Sequence, residues 1–148
     1  MSVASGAVEV LKKASLFEGL QPNAVAAIAG MATELTLEEG DDVYTLGDEA
    51  SAVYVVTSGR IRFSLGVGNR ASAAHSIMEA GQAFGWAALI GDEPRRVATA
   101  TCLEDTTLLA IDGKKLTAYF ETDTASGYAV MRRLADRISR DLLSALTN

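Results

Sequence analysis

At Thr33 the hydrophobic pattern changes period, and this change constrains the fold more than any other feature of the chain. Before it, Ala7, Val8, Val10 and Leu11 recur at helical spacing between Gly6 and Ala14. Leu16, Phe17 and Leu20 then anchor a connector, and Val25, Ile28 and Ala29 share one face of a second helix from Pro22 to Met31. Pro22 suits the first turn of that helix, where a backbone N–H has no partner to lose. Beyond Thr33 the period is 2. Leu35 and Leu37 alternate with polar neighbours, and short runs follow at 43–46, 52–57, 60–67, 74–78, 97–103 and 106–111. Gly40, Gly47, Gly59, Gly66, Gly68 and Gly81 stand where turns are needed between these runs. The pattern predicts a small antiparallel sheet or barrel behind two helices.

The helical period returns at Asp112, which reads as a cap for a helix carrying Leu116, Tyr119 and Phe120. A long helix from about Thr124 to Leu146 follows, with Met131, Leu134, Ile138, Leu142 and Ala145 as its stripe. The 148 residues make one domain, since domains run to roughly 100–200 residues. One Cys and one His exclude an internal disulfide and a typical metal-ligand set, and a cupin-type enzyme, which needs two or three histidines. His75 reads as a strand residue, Cys102 as a small buried hydrophobe, and Lys114 and Lys115 as a solvated helix face. Thirteen Lys and Arg against 19 Asp and Glu give a formal charge of −6, which argues against a surface built to neutralise nucleic-acid phosphates. With no long apolar span and no secretory leader at Met1 to Ser15, a cytoplasmic location without membrane contact is expected.

Between Phe84 and Ala100 the strand pattern breaks. Gly85, Ala87, Ala88 and Gly91 are small enough for close backbone approach, and Ala87 to Ile90 fits one helical turn. The first amides of such a turn lack internal partners and carry positive dipole charge, which suits an anion. Arg95 and Arg96 follow within reach, and a guanidinium beside free amides binds a phosphate or carboxylate bidentately. Two readings stay open on these residues alone: an anion site, or a surface loop with two solvated arginines.

Three motifs in register resemble the cyclic-nucleotide-binding domain family: the spaced glycines Gly40, Gly47 and Gly59; Phe84-Gly85 with Ala88-Leu89; and Arg96-Val97-Ala98-Thr99. The resemblance covers about residues 10 to 146. It implies an α+β fold: an antiparallel, jelly-roll-like β-roll over 33–111, with a phosphate-binding cassette at 84–99, flanked by N-terminal helices (1–31) and C-terminal helices (112–146). It implies a non-enzymatic sensor, with Phe84, Gly85, Trp86, Ala87, Ala88, Arg95, Arg96, Val97 and Ala98 as ligand-binding residues and Arg96 as the phosphate arginine. The ligand would be cAMP, cGMP or another small anion, with no resident cofactor and no metal. It also implies that the last helix lids the pocket and pairs with its twin in a homodimer through Met131, Leu134, Ile138 and Leu142.

Two positions depart from the family pattern. Trp86 stands where the family has a glutamate that accepts from the ribose hydroxyl, and an indole has no acceptor to offer. Val97 stands where a Thr or Ser often bonds the base or phosphate. The alternative is therefore a degenerate domain that binds nothing and acts as a dimerisation or scaffold module. The family's bacterial regulators continue for some seventy residues into a helix-turn-helix, and Asn148 ends this sequence before one, so direct DNA binding is not expected.

Overall fold

A computed structural model describes residues 3–64 and 77–147. The chain runs α1 (Val3–Lys13), α2 (Pro22–Gly30), β1 (Ala32–Leu37), β2 (Asp42–Tyr44), β3 (Ala52–Ser58), β4 (Arg60–Ser64), β5 (Ile77–Glu79) and β6 (Ala83–Phe84). A 3-10 turn (Trp86–Leu89) follows, then β7 (Thr99–Cys102), β8 (Thr106–Asp112), α3 (Gly113–Thr122) and α4 (Thr124–Thr147). The strands form two antiparallel four-stranded sheets, ordered β1-β8-β3-β6 and β2-β7-β4-β5. This is the antiparallel sheet structure behind two helices that the period change predicted, and the α+β roll with flanking helices that the family resemblance implied.

Alternation along β3 and β8 divides the core in two. Val53, Val55, Leu109 and Ile111 face the helices and meet Leu11, Phe17, Ile28, Leu116 and Leu134. Tyr54, Val56 and Leu108 face the other way, into the roll, where they meet Ile61, Phe84, Ala100 and Cys102. A sheet covered on both faces needs apolar residues at consecutive positions, which is why 53–56 are all buried. Each fully buried Leu or Val contributes roughly 1.5–3 kcal/mol.

Gly59 takes the chain from β3 in one sheet to β4 in the other with φ +102°. A Cβ there would lie 2.3 Å from Thr106 Oγ1 and 2.7 Å from Thr106 Cα, so backbone presses directly on the start of β8. Asp112 caps α3 as expected, accepting from the Lys115 amide at 3.0 Å. Asp123 caps α4, accepting from the amide and hydroxyl of Ser126 and from the Tyr119 hydroxyl. Those bonds, first the one from the Ser126 hydroxyl, hold its carboxyl below the usual aspartate value and raise Tyr119 above the usual tyrosine value. Cys102 is buried, and burial raises its thiol pKa.

Three expectations need correcting. Val97 and Ala98 precede β7 instead of opening it, because the chain at 94–96 pairs with the 47–50 turn: Ala50 N donates to Pro94 O, Arg96 N to Asp48 O and Gly47 N to Arg96 O. Val97 is consequently 60% exposed. Ala83–Phe84 forms a two-residue strand, too short to show a period, paired with Tyr54 and Val55. The α4 stripe is divided rather than uniform. Leu134 is 2% exposed and Ile138 packs on the same helix-side core, whereas Met131 and Leu142 are exposed. Leu134 is thus taken up by the core of its own domain. His75, Gly66 and Gly68 lie outside the described residues. Among those described, no helix is long and apolar enough to cross a membrane.

Candidate functional site

The candidate site begins where β6 ends. Gly85 is buried with φ +80°, and a Cβ on it would stand 3.0 Å from Arg96 Nη1, 3.1 Å from Tyr54 Cδ2 and 3.2 Å from Ala52 O. Only glycine fits both the backbone conformation and the space. The chain then winds through the 3-10 turn, where Ala88 N donates to Gly85 O at 3.3 Å and Ile90 N to Ala87 O at 3.1 Å. The Ala88 amide thus has a partner inside the turn.

Arg96 returns beneath this turn. It is 3% exposed, and its side chain lies inside the roll rather than in solvent. Nη1 donates to Gly85 O at 3.0 Å and Nη2 to Ala52 O at 2.7 Å, while the buried Nε has no partner. The guanidinium carbon sits 4.1 Å from the centre of the Tyr44 ring and 5.6 Å from that of Tyr54. Phe84 stacks on Tyr54 with centroids 5.2 Å apart, and Phe63 meets Phe84 edge-on at 5.5 Å. The Tyr44 pKa is pushed up to about 12, chiefly by loss of water around its hydroxyl; the Arg96 charge opposes that rise and Tyr54 adds to it.

No carboxylate lies at ion-pair distance from Arg96 among the described residues, whose salt bridges are Lys12–Glu9, Arg60–Glu104 and Arg140–Asp136. A cation removed from water without a counter-charge is costly. Two carbonyls and a ring face offset part of that cost, a desolvated cation–π contact contributing about 2 kcal/mol.

The structure therefore brings Phe84, Gly85 and Arg96 together and separates the other expected residues from them. Trp86 is half-buried against the helix-side core. Ala87 is buried, and Ala88 abuts Gly113, where a Cβ would meet Ala88 O at 2.6 Å. Arg95 is exposed and bridges Glu49 through its backbone, and Val97 faces solvent. Tyr44, Tyr54 and the Ala52 carbonyl complete the surroundings of Arg96 and were not singled out in the sequence. Their signal was the alternation that puts both tyrosines on the roll-facing side of their strands, which becomes legible once the strand pairing is known.

Two antiparallel sheets, a short turn after a Phe-Gly pair and a buried arginine define the form of a cyclic nucleotide-binding domain, and the sequence profile of that family, described as Cyclic nucleotide-binding domain, matches residues 34–123. The chain belongs to this family. It is 34% identical over 104 residues to the Cyclic AMP receptor protein of Thermus thermophilus, covering 68% of this chain and 46% of that protein. Over 136 residues it is 24% identical to the CRP-like cAMP-activated global transcriptional regulator of Mycobacterium tuberculosis, covering 89% of this chain and 58% of the regulator. The chain thus spans about half the length of these relatives. Among solved structures, the sensor domain of the transcriptional regulator DNR from Pseudomonas aeruginosa superposes with a TM-score of 0.78 at 22% identity, covering 96% of this chain and 95% of that one. The Thermus thermophilus Catabolite Activator Protein gives a TM-score of 0.72 at 30% identity, covering 87% and 60%. Together these likenesses support a regulatory sensor module.

Proposed function

We propose that the chain is a non-enzymatic, cytoplasmic sensor that takes a small anionic, phosphate-bearing ligand on Arg96 and relays its presence to α4. The observation that carries this reading is the buried Arg96 guanidinium, fixed by two backbone carbonyls and a tyrosine face, with no carboxylate at ion-pair distance among the described residues. An incoming phosphate oxygen is a stronger acceptor than a carbonyl, so it competes for the Nη donors and supplies the missing charge. Freeing the Gly85 carbonyl releases the turn that follows it. That turn touches α3 through Ala88 and Gly113, and Trp86 borders a cleft beside Leu134 of α4. Coupling requires the ligand to favour one of two positions of these elements.

Relatives named for cAMP make cyclic nucleotides the first probes. Trp86 offers no acceptor to a ribose hydroxyl, which weakens such a ligand by roughly 1.5–3 kcal/mol relative to a glutamate-bearing site, ten- to a hundredfold in affinity. Pairing of two copies through the exposed Met131 and Leu142 belongs to the same proposal. A second reading, a ligand-free scaffold module, is favoured by the occupancy of both Nη groups and the packing of Tyr44, Tyr54 and Phe84 around them. Calorimetric titration of cAMP, cGMP and inorganic phosphate into wild type and Arg96→Ala separates the two: heat with wild type alone supports the sensor, and no heat with either protein supports the scaffold.

A further inference from the structure

Tyr44 lies 40 residues before the Phe84-Gly85 pair in the chain, yet its ring is the nearer of the two that Arg96 meets, 4.1 Å from the guanidinium carbon against 5.6 Å for Tyr54. Tyr54 and Phe84 brace that ring, with centroids 6.0 and 6.1 Å away. The backbone repeats the tie. Gly47 N donates to Arg96 O at 3.0 Å and Arg96 N to Asp48 O at 2.8 Å, so the turn that follows Tyr44 is bonded to Arg96 itself. Yet β2, which carries Tyr44, is a three-residue strand at the edge of its sheet, with a shift of register between Asp42 and Tyr44. Tyr44 is half-buried rather than sealed in the core. A ring on a short, irregular edge strand can withdraw without breaking the centre of the sheet.

We infer that Tyr44 is a positioning residue that latches Arg96 inward, so that an anion binds only as the guanidinium leaves the Tyr44 ring. The inference rests on the Arg96 reading and adds what sets the affinity of that site. An anionic oxygen is met by N–H groups at the edge of a guanidinium. In Arg96 the Nη1 and Nη2 donors are taken by the Gly85 and Ala52 carbonyls, and Nε is buried without a partner. Turning that edge towards an anion carries the cation off the ring. A desolvated cation–π contact corresponds to about thirtyfold in an equilibrium constant. Apparent affinity falls with the fraction of molecules in the competent state, so the latch weakens binding by about this factor. Removing it therefore tightens binding, whereas removing a ring that merely supported the site would weaken it.

Tyr44→Leu removes the ring, and Tyr44→Phe keeps it and removes only the hydroxyl. The first readout needs no ligand: in nitrogen-labelled protein the Arg96 Nε–H resonance, identified by its loss in Arg96→Ala, reports on the latch while the backbone amides confirm that each variant is folded. Exchange of that proton with water is expected to quicken at least tenfold in Tyr44→Leu and to stay within threefold of wild type in Tyr44→Phe. The second readout is calorimetric titration of cAMP and inorganic phosphate. Tyr44→Leu is expected to bind at least one of them about tenfold more tightly than wild type, Tyr44→Phe to match wild type, and Tyr44→Leu combined with Arg96→Ala to bind neither. Unchanged exchange in Tyr44→Leu, or affinity there equal to or weaker than wild type, overturns the latch and leaves the Arg96 reading standing. Heat that survives in the Arg96→Ala combination, or no heat in wild type or Tyr44→Leu, overturns the Arg96 reading and the latch with it.

Discussion

The Arg96 guanidinium lies over the Tyr44 ring at 4.1 Å, inside the roll and away from water. This contact joins the only buried arginine among the described residues to a tyrosine whose hydroxyl resists ionisation. The pair governs both the stability of the roll and its readiness for an anion.

Removing the arginine takes the guanidinium donors from the Ala52 carbonyl and from the Gly85 carbonyl, which keeps only the 3.3 Å bond from the Ala88 amide, at about 1–3 kcal/mol for an unsatisfied buried group. Relief of the uncompensated charge offsets part of this. Arg96→Ala is therefore expected to lower unfolding stability by about 2 kcal/mol in urea titrations. Arg96→Lys recovers less than half of the loss, because an ammonium has no planar fork to hold both carbonyls.

Tyr44 predicts an alkaline limit. Its pKa in the fold is about 12 against an ordinary value of 10.0. Above pH 10 the unfolded chain loses this proton while the folded chain keeps it. The contribution is thus complete below pH 10 and is lost as the pH rises towards 12, amounting to about 2–3 kcal/mol at 1.36 kcal/mol per pH unit. Denaturation of wild type and Tyr44→Phe across this range isolates the effect: the wild type loses stability more steeply than the variant.

Much of this fold was legible in the sequence, because it is written in periods and turns. The change at Thr33, the Asp112 cap and the glycines at 40, 47, 59 and 81, all with positive φ, correspond to features of the structure. The α4 stripe was legible as apolar but not in its division, since periodicity shows which residues share a face and not what covers it. The site was legible as a set of motifs and not as an arrangement. Arg96 reads as a ligand-facing cation, and its inward path to Ala52, 44 residues earlier in the chain, depends on strand pairing that local spacing does not encode. The cleft beside α4 is lined by Leu16, Trp86 and Arg137, which share no motif.

Gly59 and Gly40 distinguish steric from conformational demand. Both have positive φ, but a Cβ at Gly59 collides with Thr106 while one at Gly40 meets nothing within 4 Å. Gly40→Ala is expected to cost about 1–2 kcal/mol for the left-handed backbone alone. Gly59→Ala adds backbone displacement at the start of β8 and is expected to exceed 3 kcal/mol, a severe loss by the usual ~1 kcal/mol standard for point mutants. Thermal denaturation of the two variants measures the difference.

The two halves of α4 are expected to respond differently to charge. Leu134→Glu buries a carboxylate in the helix-side core and unfolds the domain at room temperature. Leu142→Glu, at an exposed position, leaves the melting temperature within a few degrees and converts a dimer to a monomer by light scattering. A wild type that is monomeric at every concentration contradicts the pairing.

The central claim, that buried Arg96 awaits an anion, is tested most directly by thermal unfolding with millimolar cAMP, cGMP and inorganic phosphate in wild type, Arg96→Ala and Trp86→Glu. A ligand at a hundredfold its dissociation constant adds about 2.7 kcal/mol, a rise of several degrees in a domain of this size. The account predicts a rise in wild type with at least one of these anions, a larger rise with cAMP in Trp86→Glu where the ribose acceptor is restored, and none in Arg96→Ala. No rise in wild type or Trp86→Glu, or an equal rise in Arg96→Ala, contradicts it.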